Sequence, residues 1–127
     1  MDRNARSKEL AAELATNLPA LAGSEKQTAW AEKIRAEVVT EVARLIALAE
    51  ESRWEIDAFP KSYETPERVA ERIAAADARI ADRKGAAQRV LTSTSAKAFI
   101  ELKTSNWIGD LKSVPEVRDA RLTRAGF

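Results

Sequence analysis

The sequence predicts an all-α single domain, a bundle of four to five helices built on a long antiparallel helical hairpin. Apolar residues recur at helical spacing, no alternating strand pattern occurs, and Pro and Ser/Thr clusters separate the helical segments. The 127 residues suit one domain, and 45% of them are hydrophobic, which suffices for a core. We expect that core over about residues 7–112, with 113–127 as a tail that is a short helix or loosely ordered.

The longest predicted helix starts at Ser24 and runs to about Ala58. Ser24 and Gln27 have the capping-box spacing, in which each side chain bonds the backbone N–H of the other residue. At 100° per residue its apolar positions fill an arc of about 180°, so neighbours should contact it on more than one face. The arc holds Trp30, Ala31, Ile34, Val38, Val39, Val42, Leu45, Ile46, Leu48 and Ala49. Ala36, Ala43 and Ala47 form a small-residue strip on the far side.

A short amphipathic helix over residues 4–18 precedes the central one. Either Ser7 or Asn4 caps its start, and Pro19 ends it. We expect this helix to cover the core as a lid. The alternative is a mobile arm that carries its basic residues onto a phosphate backbone.

Residues 57–65 form the predicted turn of the hairpin. Trp54, Ile56 and Phe59 are expected to cover the end of the core, and the alternative is a platform for a ligand. Thr65, followed by a proline, marks the start of the next helix, because threonine caps helices and proline suits their first position.

The third helix is rich in alanine and spans about 28 residues if Gly85 lies inside it, as the unbroken helical phase indicates. A break at Gly85 is the alternative. A fourth helix is expected to begin at Thr94 or Ser95. Its apolar face holds Ala96, Ile100, Trp107 and Leu111.

The composition excludes several kinds of chemistry. The chain has no His and no Cys, which excludes zinc fingers, imidazole acid–base catalysis and disulfides. Its four glycines lack any phosphate-loop spacing. We therefore predict no catalytic residue, no metal site and no cofactor. With a net charge of +1, no apolar run that spans a membrane and no signal peptide, we expect a cytoplasmic protein.

A carboxylate enzyme, such as a metal-dependent nuclease, is the alternative to a non-enzymatic protein. Its acids would be Glu67, Glu71, Asp77 and Asp82. These residues lie among Arg and Ala without the spacing of a paired acid site, and we expect them to be ordinary surface charges.

The sequence LAGSEKQTAWAEKIR at residues 21–35 resembles a pattern, approximately LTGSEKQ-x-x-WA-x-x-IR, of small helical proteins of phages, plasmids and integrated elements. A later pattern of that group is T-x-AK-W-W-I-D, and TSAKAFIE at residues 94–101 resembles it, with Ala98 and Phe99 in place of the two Trp. Some such proteins also carry a cysteine zinc ribbon, which this chain lacks. The resemblance implies a mobile-element protein, and small phage proteins commonly bind host machinery, anti-CRISPR proteins among them.

Eight residues are candidates for binding a partner or an anion. Lys26 lies beside the helix cap, where backbone N–H groups and a cation together can hold a phosphate or a carboxylate. Arg35 lies at the edge of the apolar arc, where its stem can pack while its guanidinium reaches outward. For the basic residues near position 85, a solvated face is the alternative. The full set is Lys26, Gln27, Lys33, Arg35, Arg83, Lys84, Arg89 and Trp107.

The first functional hypothesis is a non-enzymatic interaction protein that binds and modulates a host or phage macromolecular complex, for example as an anti-CRISPR or other anti-defence inhibitor. It requires an exposed apolar or alanine-rich patch, for which the surroundings of Trp54 or Trp107 are candidates. The alternative is a small helical nucleic-acid-binding protein, whose basic clusters at 3–8, 79–89 and 118–124 would converge on one face.

Self-association is a further alternative. The long hairpin could pair with a second copy into a four-helix bundle that buries the alanine strip of the central helix. No membrane partner is expected, because the chain has no apolar segment of spanning length.

Overall fold

A computed structural model describes residues 1–105 and 114–127, and this part of the chain is all-helical. The predicted fold class is confirmed. The described residues form α1 (Arg3–Leu14), α2 (Glu25–Ala58), α3 (Pro66–Leu91), α4 (Ala96–Thr104) and α5 (Pro115–Ala125). No helix among them combines the length and the apolar character needed to cross a membrane.

Helices α2 and α3 form the long antiparallel hairpin. Arg53 near the end of α2 pairs with Asp77 of α3 at 2.5 Å, whereas Arg83 further along α3 reaches back to the Leu45 carbonyl oxygen at 2.6 Å. Helices α1 and α4 pack on α2, and α5 packs on α4. A β-bridge between Ala22 and Ser95 ties the segment before α2 to the start of α4.

The core is built around α2, but its buried arc is rotated from the predicted one. Trp30 and Leu48 project at the same angle, about 80° from Val38 on a helical wheel, and neither is fully buried. On the opposite edge the buried face continues through Ala43 and Ala47, which are completely buried. The prediction of Trp30 as a core residue is therefore wrong, because the neighbouring helices cover the alanine side of α2 instead.

This rotation also removes the predicted dimer face. Ala43 and Ala47 are buried inside the chain, and only Ala36 of the alanine strip is exposed. A second copy therefore has no continuous alanine strip to pack against.

The first helix differs from its prediction at both ends. Asp2 is the N-cap, and its carboxylate accepts a hydrogen bond from the Ala5 N–H at 3.0 Å, so neither Asn4 nor Ser7 caps the helix. The helix ends at Leu14, before the predicted residue 18, and Asn17 then adopts a left-handed backbone conformation with φ of 59°. Asparagine tolerates this conformation better than most residues. The left-handed turn at Asn17 changes the direction of the chain before Pro19.

Helix α1 is nevertheless a lid and not a free arm. Its Leu10 is buried in the core, and the Arg6 guanidinium makes two hydrogen bonds to the Glu50 carboxylate of α2, at 2.7 and 3.1 Å. Arg3 pairs with Glu51 at 3.2 Å in the same way. Two of the three basic residues of α1, Arg3 and Arg6, thus face α2 and neutralise its carboxylates.

Helix α3 runs through Gly85 without a break, as the helical phase predicted. A Cβ atom added at Gly85 would meet no atom within 4 Å. Gly85→Ala is therefore expected to stabilise the protein by about 1 kcal/mol, because alanine has less backbone freedom to lose on folding. Thermal unfolding followed by circular dichroism should show Tm raised by about 3–5 °C.

Gly126→Ala is the matched control for this substitution. Gly126 has φ of 111°, a conformation that alanine adopts only with strain, and its added Cβ would lie 3.4 Å from the Ala98 Cβ. The same change is therefore expected to lower Tm at Gly126. A lower Tm for Gly85→Ala as well would contradict a helix that continues through Gly85.

The C-terminal tail forms helix α5, and it extends the core beyond the predicted limit of residue 112. Leu122 is completely buried, and the Phe127 ring packs edge-on against Phe99 with centroids 5.2 Å apart. Gly126 ends α5 in the left-handed conformation, which turns Phe127 back onto the core so that its N–H bonds the Leu122 carbonyl oxygen at 2.9 Å. Two predicted residues of the α4 face, Trp107 and Leu111, lie outside the described residues.

Candidate functional site

The end of the hairpin extends past the core. The last buried residue of α2 is Ala49 and the first buried residue of α3 is Ala76, and no residue between them is fully buried. Helix α1 reaches only the level of Glu51, through Arg3. We call residues 50–75 the hairpin tip. Two helices and their turn therefore form a projection that α1, α4 and α5 leave largely uncovered.

Three aromatic side chains are exposed on this projection. The exposed fractions of Trp54, Phe59 and Tyr63 are 43%, 69% and 78%. Trp54 and Phe59 meet edge to face with ring centroids 5.6 Å apart. We call these three residues the aromatic tip cluster. The prediction that Trp54 and Phe59 cover the end of the core is wrong, because the last buried residue of α2, Ala49, lies about one and a half turns before Trp54 and nearly three turns before Phe59.

Beside this cluster the tip carries a surface cavity of about 310 Å³. It lies where the turn meets the start of α3, whose N-cap Thr65 accepts a hydrogen bond from the Arg68 N–H at 3.1 Å. Its lining consists of Lys61, Tyr63, Glu64, Thr65, Arg68 and Arg72. Basic side chains therefore dominate one side of the tip.

Glu64 organises that cavity. Its carboxylate accepts a hydrogen bond from the Arg72 guanidinium at 2.5 Å and another from the Lys61 N–H at 3.0 Å. The Arg72 hydrogen bond, followed by the backbone bond, lowers the pKa of Glu64 and keeps it ionised. The Glu64 side chain is only 5% exposed, so it holds the turn and is not free to bind a ligand.

Several of the predicted site residues stabilise the fold. Gln27 completes the capping box, since its side-chain oxygen accepts from the Ser24 N–H at 3.0 Å while Ser24 Oγ accepts from the Gln27 N–H at 3.2 Å. The Arg35 guanidinium donates to the Pro19 carbonyl oxygen at 2.6 Å, which fixes the connection between α1 and α2. These side chains are used inside the chain.

The predicted basic residues of α3 are used in the same way. Arg83 bonds the Leu45 carbonyl oxygen of α2, and Lys84 lies 3.9 Å from the Glu50 carboxylate. Arg89 holds the C-terminus, with hydrogen bonds to the Phe127 carbonyl oxygen at 3.1 Å and to Thr123 Oγ1 at 2.8 Å. Burial, followed by repulsion from neighbouring Arg79, lowers the pKa of Arg83, although a guanidinium stays charged in proteins.

Two of the predicted residues, Lys26 and Lys33, form a surface with the exposed Trp30. The spacings of four and three residues place all three side chains on one face of α2. Neither lysine has an ion pair or a side-chain hydrogen bond with a residue that the structure describes. We call these three residues the N-terminal face. The eighth predicted residue, Trp107, lies outside the described residues.

Three of the four candidate acids of an enzyme pair with arginines, and the fourth, Glu67, lies in the first turn of α3. Asp77 pairs with Arg53 at 2.5 Å, Asp82 with Arg118 at 2.6 Å and Glu71 with Arg68 at 3.2 Å. Within residues 1–105 and 114–127, no group of three or more acidic side chains is placed to hold a metal ion. Asp77, Asp82 and Glu71 are thus engaged in ion pairs within the chain.

Comparisons with protein-family models, curated proteins and solved structures gave no match. The resemblance of residues 21–35 to mobile-element proteins therefore stays a prediction from those residues alone. Function has to be inferred from the surfaces that the fold leaves uncovered.

Proposed function

We propose that this chain is a non-enzymatic interaction protein that binds a partner protein through the aromatic tip cluster. The exposure of Trp54, Phe59 and Tyr63 together carries the proposal. Single exposed apolar residues are ordinary on protein surfaces, whereas clustered aromatic side chains are enriched where proteins bind each other. An exposed apolar patch near Trp54 is what the interaction hypothesis required.

The shape of the tip supports the same function. Two antiparallel helices joined by a short turn present the cluster ahead of the core, so a partner can close around it without contact with α1, α4 or α5. The ion pair between Arg53 in the tip and Asp77, two residues beyond it, joins the two helices at the base of the tip. Such a preformed surface loses little conformational freedom on binding.

The partner that we propose is a component of a host macromolecular complex, and an anti-defence role of the anti-CRISPR kind is the first to test. This part of the proposal rests on the resemblance of residues 21–35 to proteins of phages and plasmids. The proposal that the tip binds a protein does not depend on that resemblance.

Nucleic-acid binding is the second candidate function, and the N-terminal face favours it. Trp30 offers a flat ring for a base to stack on, and Lys26 and Lys33 can contact the flanking phosphates. It ranks second because the clusters expected to converge are partly neutralised within the chain. Arg6 pairs with Glu50, and Arg118 pairs with Asp82.

Affinity capture from the native host, with identification of bound protein and nucleic acid, tests both candidates. We expect one protein to be enriched on the wild-type chain and lost from the Trp54→Ala/Phe59→Ala double variant, because that variant removes two of the three aromatic contacts. When such a residue at the centre of an interface is replaced by alanine, the binding free energy weakens by about 2 kcal/mol or more.

Trp30→Ala is the matched control, since it also removes an exposed aromatic side chain from α2 but at the other end of the helix. It should retain the captured protein. Capture that is lost in Trp30→Ala and kept in the double variant would reject the tip as the binding surface. Nucleic acid that depends on Trp30 and disappears with rising salt would establish the second function instead.

A further inference from the structure

The cavity beside the aromatic tip cluster has an excess of positive charge. Three cations, Lys61, Arg68 and Arg72, line it against one carboxylate, that of Glu64. The balance is +2 on that lining, although the whole chain carries only +1. The start of α3 adds the positive end of a helix dipole at the same edge, which the Glu67 carboxylate in the first turn partly offsets. The cavity therefore attracts anionic groups more strongly than the overall charge suggests.

Two of these cations are available to a ligand. Among the described residues Arg68 pairs with Glu71 alone, and both side chains are well exposed, so the pair contributes little and can exchange for another carboxylate. The Lys61 ammonium lies 5.9 Å from the centre of the Tyr63 ring. Its charge acts on the Glu64 carboxylate, but it forms no ion pair within 4 Å with a residue that the structure describes. Arg72 uses one guanidinium nitrogen for Glu64. The planar Arg68 guanidinium can bind a carboxylate through two parallel hydrogen bonds.

The surroundings of the cavity restrict what kind of anion fits. Tyr63 lines the cavity and its side chain is largely exposed, so a ligand in the cavity can pack on its ring. Glu55 and Asp57 lie exposed in the last turn of α2, which contains no basic residue. An extended polyphosphate backbone would be repelled by those carboxylates without gaining an apolar contact. In an acidic, apolar peptide the side chains between the carboxylates could offset the same repulsion by packing on Tyr63.

We propose that this cavity binds carboxylate side chains of an acidic, apolar segment of the partner protein, with Arg68 and Lys61 as the pairing residues. The inference rests on the proposed function, because it names the chemistry of the partner that the tip would bind. The aromatic residues would contact the apolar side chains of that segment. The cavity would select, among apolar segments, the ones that also carry carboxylate side chains.

Fluorescence anisotropy with a labelled peptide of alternating glutamate and leucine residues tests this inference on the full chain at low salt. We expect binding that Arg68→Glu and Lys61→Glu each weaken about tenfold, the loss of one charge-assisted contact. Arg79→Glu is the matched control. It makes the same charge change on α3 at an exposed residue outside the cavity lining, and it should leave the affinity within about twofold.

Competition by other anions decides the ligand class. A glutamine–leucine peptide of the same length should not bind, and inorganic phosphate or a single-stranded oligonucleotide should compete poorly. Equal competition by phosphate or the oligonucleotide would overturn the acidic-segment inference. Equal loss in Arg79→Glu would overturn it as well, since binding would then follow only the overall charge. Unchanged thermal unfolding of each variant shows that the fold is intact.

The two proposals can fail separately. If the host partner is captured through Trp54 and Phe59 but the peptide does not bind, the cavity inference is wrong and the protein-binding function stands. If the peptide binds in an Arg68-dependent way but no host protein is captured, the cavity chemistry stands and the proposed function fails.

Discussion

Phe99→Ala is expected to lower the free energy of unfolding by about 3–5 kcal/mol, the range for removing a buried aromatic ring from a core. Phe99 is completely buried, and its ring packs edge-on against Phe127 at 5.2 Å. It lies on α4, which packs on α2, so its loss leaves a cavity between the central helix and the C-terminal residues. Urea unfolding followed by circular dichroism measures the change.

Phe59→Ala is the control, because it deletes the same side chain from an exposed position. We expect Phe59→Ala to change the free energy of unfolding by about 0.5 kcal/mol or less. Equal losses in the two variants would mean that the Phe99 site is no better packed than the tip. A small loss at Phe99 would show that α4 and the C-terminal residues do not belong to the folded core.

Asp82→Asn is expected to lower the free energy of unfolding by about 2 kcal/mol. Arg118 and Asp82 are 5% and 35% exposed, and two hydrogen bonds, at 2.6 and 2.9 Å, join the guanidinium to the carboxylate. Breaking a fully buried pair costs about 3–5 kcal/mol, and the lower value is expected because Asp82 is partly exposed. Asp119 also remains on Arg118 at 3.1 Å.

Asp77→Asn is the matched control for this pair. Asp77 lies on the same helix and also pairs with an arginine, Arg53, but both side chains are well exposed. Its replacement is expected to change stability by about 0.5 kcal/mol or less. A larger loss in Asp77→Asn than in Asp82→Asn would contradict the burial of Arg118.

The effect of Asp82→Asn should also depend on pH. The hydrogen bonds from Arg118, which exceed the opposing effect of burial, lower the pKa of Asp82 below its ordinary value of 3.8. A carboxylate with a lowered pKa contributes stability above its unfolded-state pKa and loses it as the pH falls through its folded-state pKa. The difference in the free energy of unfolding between wild type and Asp82→Asn should therefore have its full value at pH 7 and decrease progressively below about pH 4. A difference that grows on acidification would contradict the ion pair.

The predicted features that held are local. The capping box of Ser24 and Gln27, the start of α3 after Thr65 and the continuity of that helix through Gly85 all depend on residues within one or two helical turns. Near neighbours in the chain supply these contacts whatever the rest of the fold does. The helix count and the hairpin follow from such signals together with apolar periodicity.

The candidate site was only partly predictable. The interaction hypothesis gave the surroundings of Trp54 or Trp107 as candidates for an uncovered patch, whereas the helix analysis predicted that Trp54 covers the end of the core. Arg83 and Arg89 were candidates because they are basic, yet their partners lie 38 residues away in the chain, at Leu45 and Phe127. Spacing along one helix does not show which distant carbonyl group a side chain reaches.

The sequence by itself determined that the chain is helical, where its two long helices begin, and that α2 is its apolar centre. Only the tertiary structure decided which edge of α2 is covered, that Leu122 and Phe127 close the core, and that the tip aromatic residues stay exposed. The physical reason is that periodicity gives the direction of a side chain around its own helix. Burial depends also on whether another helix reaches that level, and at the tip of this hairpin α1, α4 and α5 do not.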